Sequence, residues 1–150
     1  MQLKLPDAHV KETGTAKGRG VFASRKFKKG ELVEECAVVV VRAQLSDLPL
    51  ELQRVVYDWE FLAKVRRSLA FALGFGSLYN HDDPANMRYE ADREKRTLRF
   101  ITVREIDADE ELTINYSAEG GGTEGNDNDW FERMKVKLIS GSAPRRAKKS

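Results

Sequence analysis

The run from Leu69 to Leu78 is apolar except for small residues, and it leads directly to Asn80-His81. That junction limits the fold more than any other stretch. Gly74 and Gly76 allow close backbone packing, so the polar pair behind them must be fully paired or must bind something. An unpaired buried polar group costs about 1–3 kcal/mol. Taken alone, the stretch favours a structural Asn and His that hold a tight turn through side-chain-to-backbone bonds. Residues 74–86 are expected to form the floor of a site, with the rest of the chain as its walls.

A chain of 150 residues is about one domain long and can bury a core without staples. Apolar residues make up 41% and charged residues 33%, and the aromatic content argues against general disorder. Cys36 is the only cysteine, which excludes an internal disulfide framework and a cysteine-built zinc site. No apolar stretch approaches the roughly 20 residues that span a bilayer, and Met1 to Lys11 has no signal-peptide core. The expectation is an intracellular protein away from membranes, cytoplasmic or, in a eukaryotic host, nuclear. The net charge of +2 hides an asymmetry, because Arg145, Arg146, Lys148 and Lys149 crowd the last residues. Without those four, 22 basic residues of the 26 face 24 acidic ones, and Glu105 to Glu132 holds ten acids and no Lys or Arg. Such a face suits a basic partner and repels nucleic-acid phosphate, leaving the tail as the only expected nucleic-acid contact.

Along the chain, residues 10–30 read as strand, turn, strand, and Lys28-Lys29-Gly30 turns into a β-branched segment, Glu31 to Arg42. Its run Val38 to Val41 is expected to lie in the core. Ser46 or Asp47 is a candidate helix cap, with Pro49 in the first turn. Leu48, Leu52, Val55, Val56 and Trp59 follow helical spacing, yet Tyr57 to Phe61 also alternates as a strand does, and the period leaves both open. Arg88 to Glu90 and Thr97 to Val103 predict a hairpin turning at Asp92 to Lys95, and Leu112 to Tyr116 a short final strand. Gly120-Gly121-Gly122 opens a polar segment that ends at Trp130-Phe131, two aromatics expected to dock as a latch. The predicted organisation is one unit over 1–135 and a basic, disordered tail over 136–150.

Three constellations carry the chemistry. Lys17-Gly18-Arg19-Gly20 lets backbone approach a ligand, although without a third glycine it is no dinucleotide fingerprint and a plain turn is favoured. Asn80-His81, with Asn86 six positions on, lacks metal-ligand spacing, and His9 near the flexible end offers no second ligand, so no metal is expected. In Glu110-Glu111-Leu112-Thr113-Ile114-Asn115-Tyr116 the adjacent carboxylates point to opposite faces of a strand and make a poor acid/base pair. Tyr116 ends an apolar run where a phenol needs a partner for its hydroxyl.

Taken together and in order, Gly18-Arg-Gly-Val-Phe-Ala23, Ala72-Leu-Gly-Phe-Gly-Ser-Leu-Tyr-Asn-His81 and Glu110-Glu-Leu-Thr-Ile-Asn-Tyr116 resemble the SET domain family of protein lysine methyltransferases. The resemblance runs from about residue 10 to 131 and is strongest to the compact SET proteins of bacteria and large algal viruses, whose Gly-Glu-Leu-Val-Glu-Glu-Cys matches Gly30 to Cys36. It implies a mainly β, β-clip fold of small sheets with short helices. It also implies a C-terminal segment threaded like a knot, so that the Asn-His and terminal-Tyr stretches lie side by side. S-adenosylmethionine would be the cofactor, leaving as S-adenosylhomocysteine. Lys17, Gly18, Arg19, Gly20, Asn80, His81 and Tyr116 would bind it, and Trp130 or Phe131 would cover its adenine. Tyr116 would be the catalytic tyrosine, and Tyr57, Trp59, Tyr79 and Ile114 would line the substrate channel.

Methyl transfer to an amine is an in-line displacement that needs a neutral amine, alignment and a dry channel rather than a metal. A lysine in a basic protein or peptide, with a histone tail as a candidate, is the implied substrate, and a homodimer is an arrangement the compact relatives adopt. The alternative is a catalytically silent SET-like module that binds basic peptides. The chain departs from the family pattern at Asp82, where Ser is usual, and at Asp109, where Gly is usual. Ile114 replaces a Phe or Tyr, which implies a roomier pocket open to multiple methylation.

Overall fold

A computed structural model describes residues 2–116, and Trp130, Phe131 and the basic tail lie outside the described residues. The strands are β1 (Ala8–Glu12), β2 (Arg19–Ala23), β3 (Leu32–Val41), β4 (Val56–Asp58), β5 (Leu69–Ala72), β6 (Asn80–His81), β7 (Met87–Asp92), β8 (Thr97–Thr102) and β9 (Glu111–Ile114). A 3-10 turn, Leu45–Asp47, and two short helices, α1 (Leu50–Gln53) and α2 (Trp59–Ala63), complete the described elements. The fold is mainly β, as expected. One sheet has the order β1-β2-β9-β6 and the other β4-β5-β3-β8-β7.

The predicted hairpin is β7–β8, paired from Met87↔Thr102 to Asp92↔Thr97. The valine run does not lie wholly in the core. Val38 is buried, but Val39 is 48% exposed, because here β3 pairs with β5 through Val39↔Phe71 and successive side chains point to opposite faces.

Residues 45–67 resolve into four short elements. Gln44, not Ser46, caps the 3-10 turn, its N–H donating to Asp47 Oδ2 at 2.9 Å. Pro49 stands at the cap of α1 rather than inside its first turn. Tyr57 sits on β4 opposite Ala70, and Asp58 Oδ1 then caps α2 by accepting from Phe61 N.

The core gathers Trp59, Tyr79, Phe27, Phe100 and Met87, each under 2% exposed. Full burial of each such side chain stabilises by about 1.5–3 kcal/mol. The segments that cross between the sheets, β2 to β3 and β8 to β9, are tied by the Phe27↔Ile106 bridge, and Asn86 stands on a third crossing, between β6 and β7. Asn86 Nδ2 donates to Glu111 O at 2.8 Å, and its Oδ1 accepts from Thr113 N at 2.9 Å.

Candidate functional site

The site forms where β6 lies parallel to β9, with Asn80 opposite Thr113 and His81 opposite Ile114. A pairing between segments thirty residues apart thus places the Asn-His and terminal-Tyr stretches side by side. Two hydrogen bonds and a ring contact fix the arrangement. Tyr116 N donates to His81 Nδ1 at 3.0 Å, which assigns the proton of a neutral imidazole to Nε2. Tyr116 Oη donates to the Tyr79 carbonyl at 2.5 Å. The His81 and Tyr116 rings lie 5.2 Å apart, tilted at 48°.

Asn80 is 1% exposed. Its Nδ2 donates to Arg19 O at 2.9 Å and to Glu111 Oε2 at 2.7 Å. Both acceptors are oxygens, so the amide can point only one way. Asn80 Oδ1 is then left buried with no hydrogen-bond partner among the described residues. Such an acceptor is costly unless a donor arrives. A ligand carrying an ammonium group satisfies it, so the residues present fit the amino-acid end of S-adenosylmethionine.

The glycine loop supports this clamp in a way spacing did not reveal. Gly18 has φ +75°, as an unusual turn angle requires. Gly20 is needed for close approach instead: a Cβ there would meet Glu111 Oε2 at 2.5 Å and Asn80 Nδ2 at 3.0 Å. Lys17 is half-buried and Arg19 exposed, and it is the Arg19 carbonyl that holds Asn80.

Of the expected channel residues, Ile114 and Tyr79 are fully buried beside Asn80 and Tyr116 in sequence and space. Tyr57 is buried, and its Oη donates to Gly76 O at 2.6 Å. Trp59 is 1% exposed, within the core and at the start of α2. Trp130 and Phe131 lie outside the described residues.

Two site residues escaped sequence reasoning. Glu111 clamps Asn80 rather than acting as an acid or base. Glu34 is 1% exposed; its Oε1 accepts from Tyr79 Oη at 2.7 Å and its Oε2 from Phe75 N at 2.9 Å. Burial raises the Glu34 carboxyl above its ordinary range against the pull of those two bonds. Burial and the neighbouring Glu34 also push the Tyr79 phenol well up. The Tyr79 side chain is thereby pinned in the core while its carbonyl holds Tyr116. The Glu34 signal was present as Gly30 to Cys36, but nothing local said which glutamate turned inward.

Asp109 has φ +67°, which explains why a glycine suits its place and an aspartate still serves. Its carboxylate accepts from Lys11 Nζ at 2.6 Å and meets His9 Nε2 at 3.2 Å. The Lys11 hydrogen bond holds it below the usual range. His9 is therefore tied into β1, with Nδ1 2.8 Å from Ser24 Oγ, rather than lying loose at a flexible end.

The chain is similar to known proteins along most of its length. A Schizosaccharomyces pombe protein, histone-lysine N-methyltransferase, H3 lysine-37 specific, is 29% identical over 119 residues, covering 77% of this chain and 71% of the relative. A candidate histone methyltransferase of Plasmodium falciparum superposes with a TM-score of 0.59 at 22% identity, over 77% of this chain and 97% of the other. A chain in a humanized mutant of the Chaetomium thermophilum Polycomb Repressive Complex 2 superposes with a TM-score of 0.60 at 17% identity, over 77% of this chain and 15% of the other. These two likenesses concern the fold alone. The SET domain family model matches residues 18–117, and the chain belongs to the SET domain family.

Proposed function

We propose that the chain transfers a methyl group from S-adenosylmethionine to the ε-amine of a lysine in a basic protein, a histone tail being the class that fits best. The observation that carries this is the convergence of an unpartnered buried acceptor, Asn80 Oδ1, with the Tyr116 hydroxyl across the parallel β6–β9 pair. The similarity to the S. pombe histone-lysine N-methyltransferase supports it.

The bound cofactor would supply an electrophilic methyl on a positively charged sulfur. Lys17 to Gly20 and Asn80-His81 would hold it, with Asn80 Oδ1 accepting from its ammonium group. Tyr116 donates its hydroxyl hydrogen bond to the Tyr79 carbonyl, so the lone pairs of Oη can accept from the N–H of an incoming amine and point the nitrogen lone pair toward the cofactor. Buried Tyr79, Ile114 and Tyr116 exclude water there, and a desolvated site depresses the pKa of an entering lysine, which favours the neutral amine. The acidic stretch Glu105 to Glu132 would attract a Lys- and Arg-rich segment. The proposal extends to an aromatic cover by Trp130 or Phe131 and to action inside the cell.

The test is transfer of radiolabelled methyl from S-adenosylmethionine to core histones and bulk cellular protein. Label on lysine is expected, falling about a hundredfold in Tyr116→Phe, the scale at which loss of one positioned hydroxyl acts. Cofactor binding without transfer to any lysine would favour a silent peptide-binding module. Failure to bind the cofactor would overturn the proposal.

A further inference from the structure

The far end of the five-stranded sheet carries a second candidate site. There Val41 at the end of β3 pairs with Leu69 at the start of β5. Asn80 follows the opposite end of β5, so this region is separate from the site described above. Two hollows of about 460 and 330 Å³ open here and share Ala43, Gln44 and Arg67 as lining, with Arg42 on one and Arg66 on the other.

Three features set it apart from a solvated charged face. First, the carboxylates that line it are engaged with backbone amides: Asp47 Oδ2 with Gln44 N, Asp58 Oδ1 with Phe61 N and Glu60 Oε1 with Arg67 N. Arg42, Arg66 and Arg67 form no ion pair among the described residues.

Second, the loop that presents them is built at a cost. Lys64 has φ +61° and Arg67 φ +53°, conformations that side chains other than Gly, Asn and Asp adopt rarely. Lys64 N to Glu60 O, Ser68 Oγ to Val65 O and Arg67 N to Glu60 Oε1 hold it in place. Strain that surrounding bonds over-determine gathers at functional sites. Third, the arginines are spread over both hollows rather than gathered in one pocket: Arg42 lines one, Arg66 the other and Arg67 both. Arg42 Nη1 reaches the Arg66 carbonyl at 3.4 Å and Arg93 Nη1 the Lys64 carbonyl at 3.5 Å.

We propose that this groove binds the phosphodiester backbone of nucleic acid. Guanidinium groups match phosphate oxygens in bidentate geometry, and three of them spread over two adjoining hollows fit a repeating anion better than one phosphate. The contact reads phosphate rather than bases. It would hold the chain on a polyanion while leaving the Asn80–Tyr116 site accessible, and it is independent of whether that site transfers methyl.

The test is fluorescence anisotropy of a labelled DNA duplex with the full chain across a salt series. It is made first in a background of Arg145→Gln, Arg146→Gln, Lys148→Gln and Lys149→Gln, to remove the tail's charge. Binding is expected to persist in that background. Adding Arg42→Gln and Arg66→Gln should weaken it about tenfold and lower the slope of log affinity against log salt by about 2, one for each lost phosphate contact. Arg42→Lys with Arg66→Lys should restore the salt slope, and thermal midpoints should stay at the parent value. Binding lost with the tail alone, or an unchanged slope in the groove variant, would overturn the proposal. So would preference for a phosphoserine peptide or for free inorganic phosphate over the duplex.

Discussion

Glu34 has no cationic partner among the described residues, yet it is buried to 1% exposure under the site. Burial raises its folded-state pKa above the ordinary value of 4.5, so the folded chain holds the proton more tightly than the unfolded chain does. Its contribution to stability is therefore complete below about pH 4.5 and is lost as pH rises through the raised folded value. Glu34→Gln removes the ionisation and keeps an acceptor for Phe75 N, while its amide NH2 reverses the other bond by donating to Tyr79 Oη. The thermal midpoint of the variant relative to wild type should therefore climb as pH goes from 4 toward 8, as a melting series in both proteins would show. A constant difference would mean that Glu34 does not titrate in that window. Alternation along a strand would send one of Glu34 and Glu35 outward, but both are buried. The pairing is regular from Glu34 to Ala37, so the two side chains leave opposite faces and both faces are covered here; Glu35 accepts from buried Thr97 Oγ1 at 2.8 Å. A strand buried on both faces at two adjacent glutamates leaves no mark in residue order.

At the scale of elements, β2, β9 and β6 meet around the missing side chain of Gly20. Gly20→Ala would drive a methyl into Glu111 Oε2 and Asn80 Nδ2, so overpacking should cost about 1–3 kcal/mol. The displaced clamp should also weaken S-adenosylmethionine binding about tenfold, roughly 1.4 kcal/mol. Gly14→Ala is the control, because its φ is +76° but a Cβ there meets nothing within 4 Å. It should cost about 1 kcal/mol of stability through strain and leave the cofactor affinity unchanged by calorimetry. Equal affinity in both variants would remove Gly20 from the binding clamp. The hairpin β7–β8 was legible because Asp92 to Lys95 breaks two β-rich runs with polar residues. Residues 45–67 were not, since a 3-10 turn, α1, β4 and α2 are each too short to show a period.

The whole molecule depends on a contact that local pattern cannot state, the parallel pairing of a two-residue strand with β9. Composition and periodicity gave a mainly β chain with separate candidate motifs, and each motif alone favoured a bland structural role. Only the ordered resemblance brought Asn80-His81 to Tyr116, and even that left Asn86 without a task. Asn86 joins the sheets. Besides Glu111 O and Thr113 N, its own N–H donates to Thr113 Oγ1 at 3.2 Å, and its carbonyl accepts from Val103 N just beyond β8. Asn86→Ala leaves the buried Thr113 N–H and Glu111 carbonyl unpaired, at about 1–3 kcal/mol each. For a chain of this size the thermal midpoint should fall on the order of 10 °C. If the two sheets form one cooperative unit, the variant should still unfold in a single transition, and the amides of Asp82 and Thr113 should lose exchange protection together with those of β8. Early exchange confined to β6 and β9, with β3, β8 and β7 still protected, would show instead that the sheet carrying the site opens on its own.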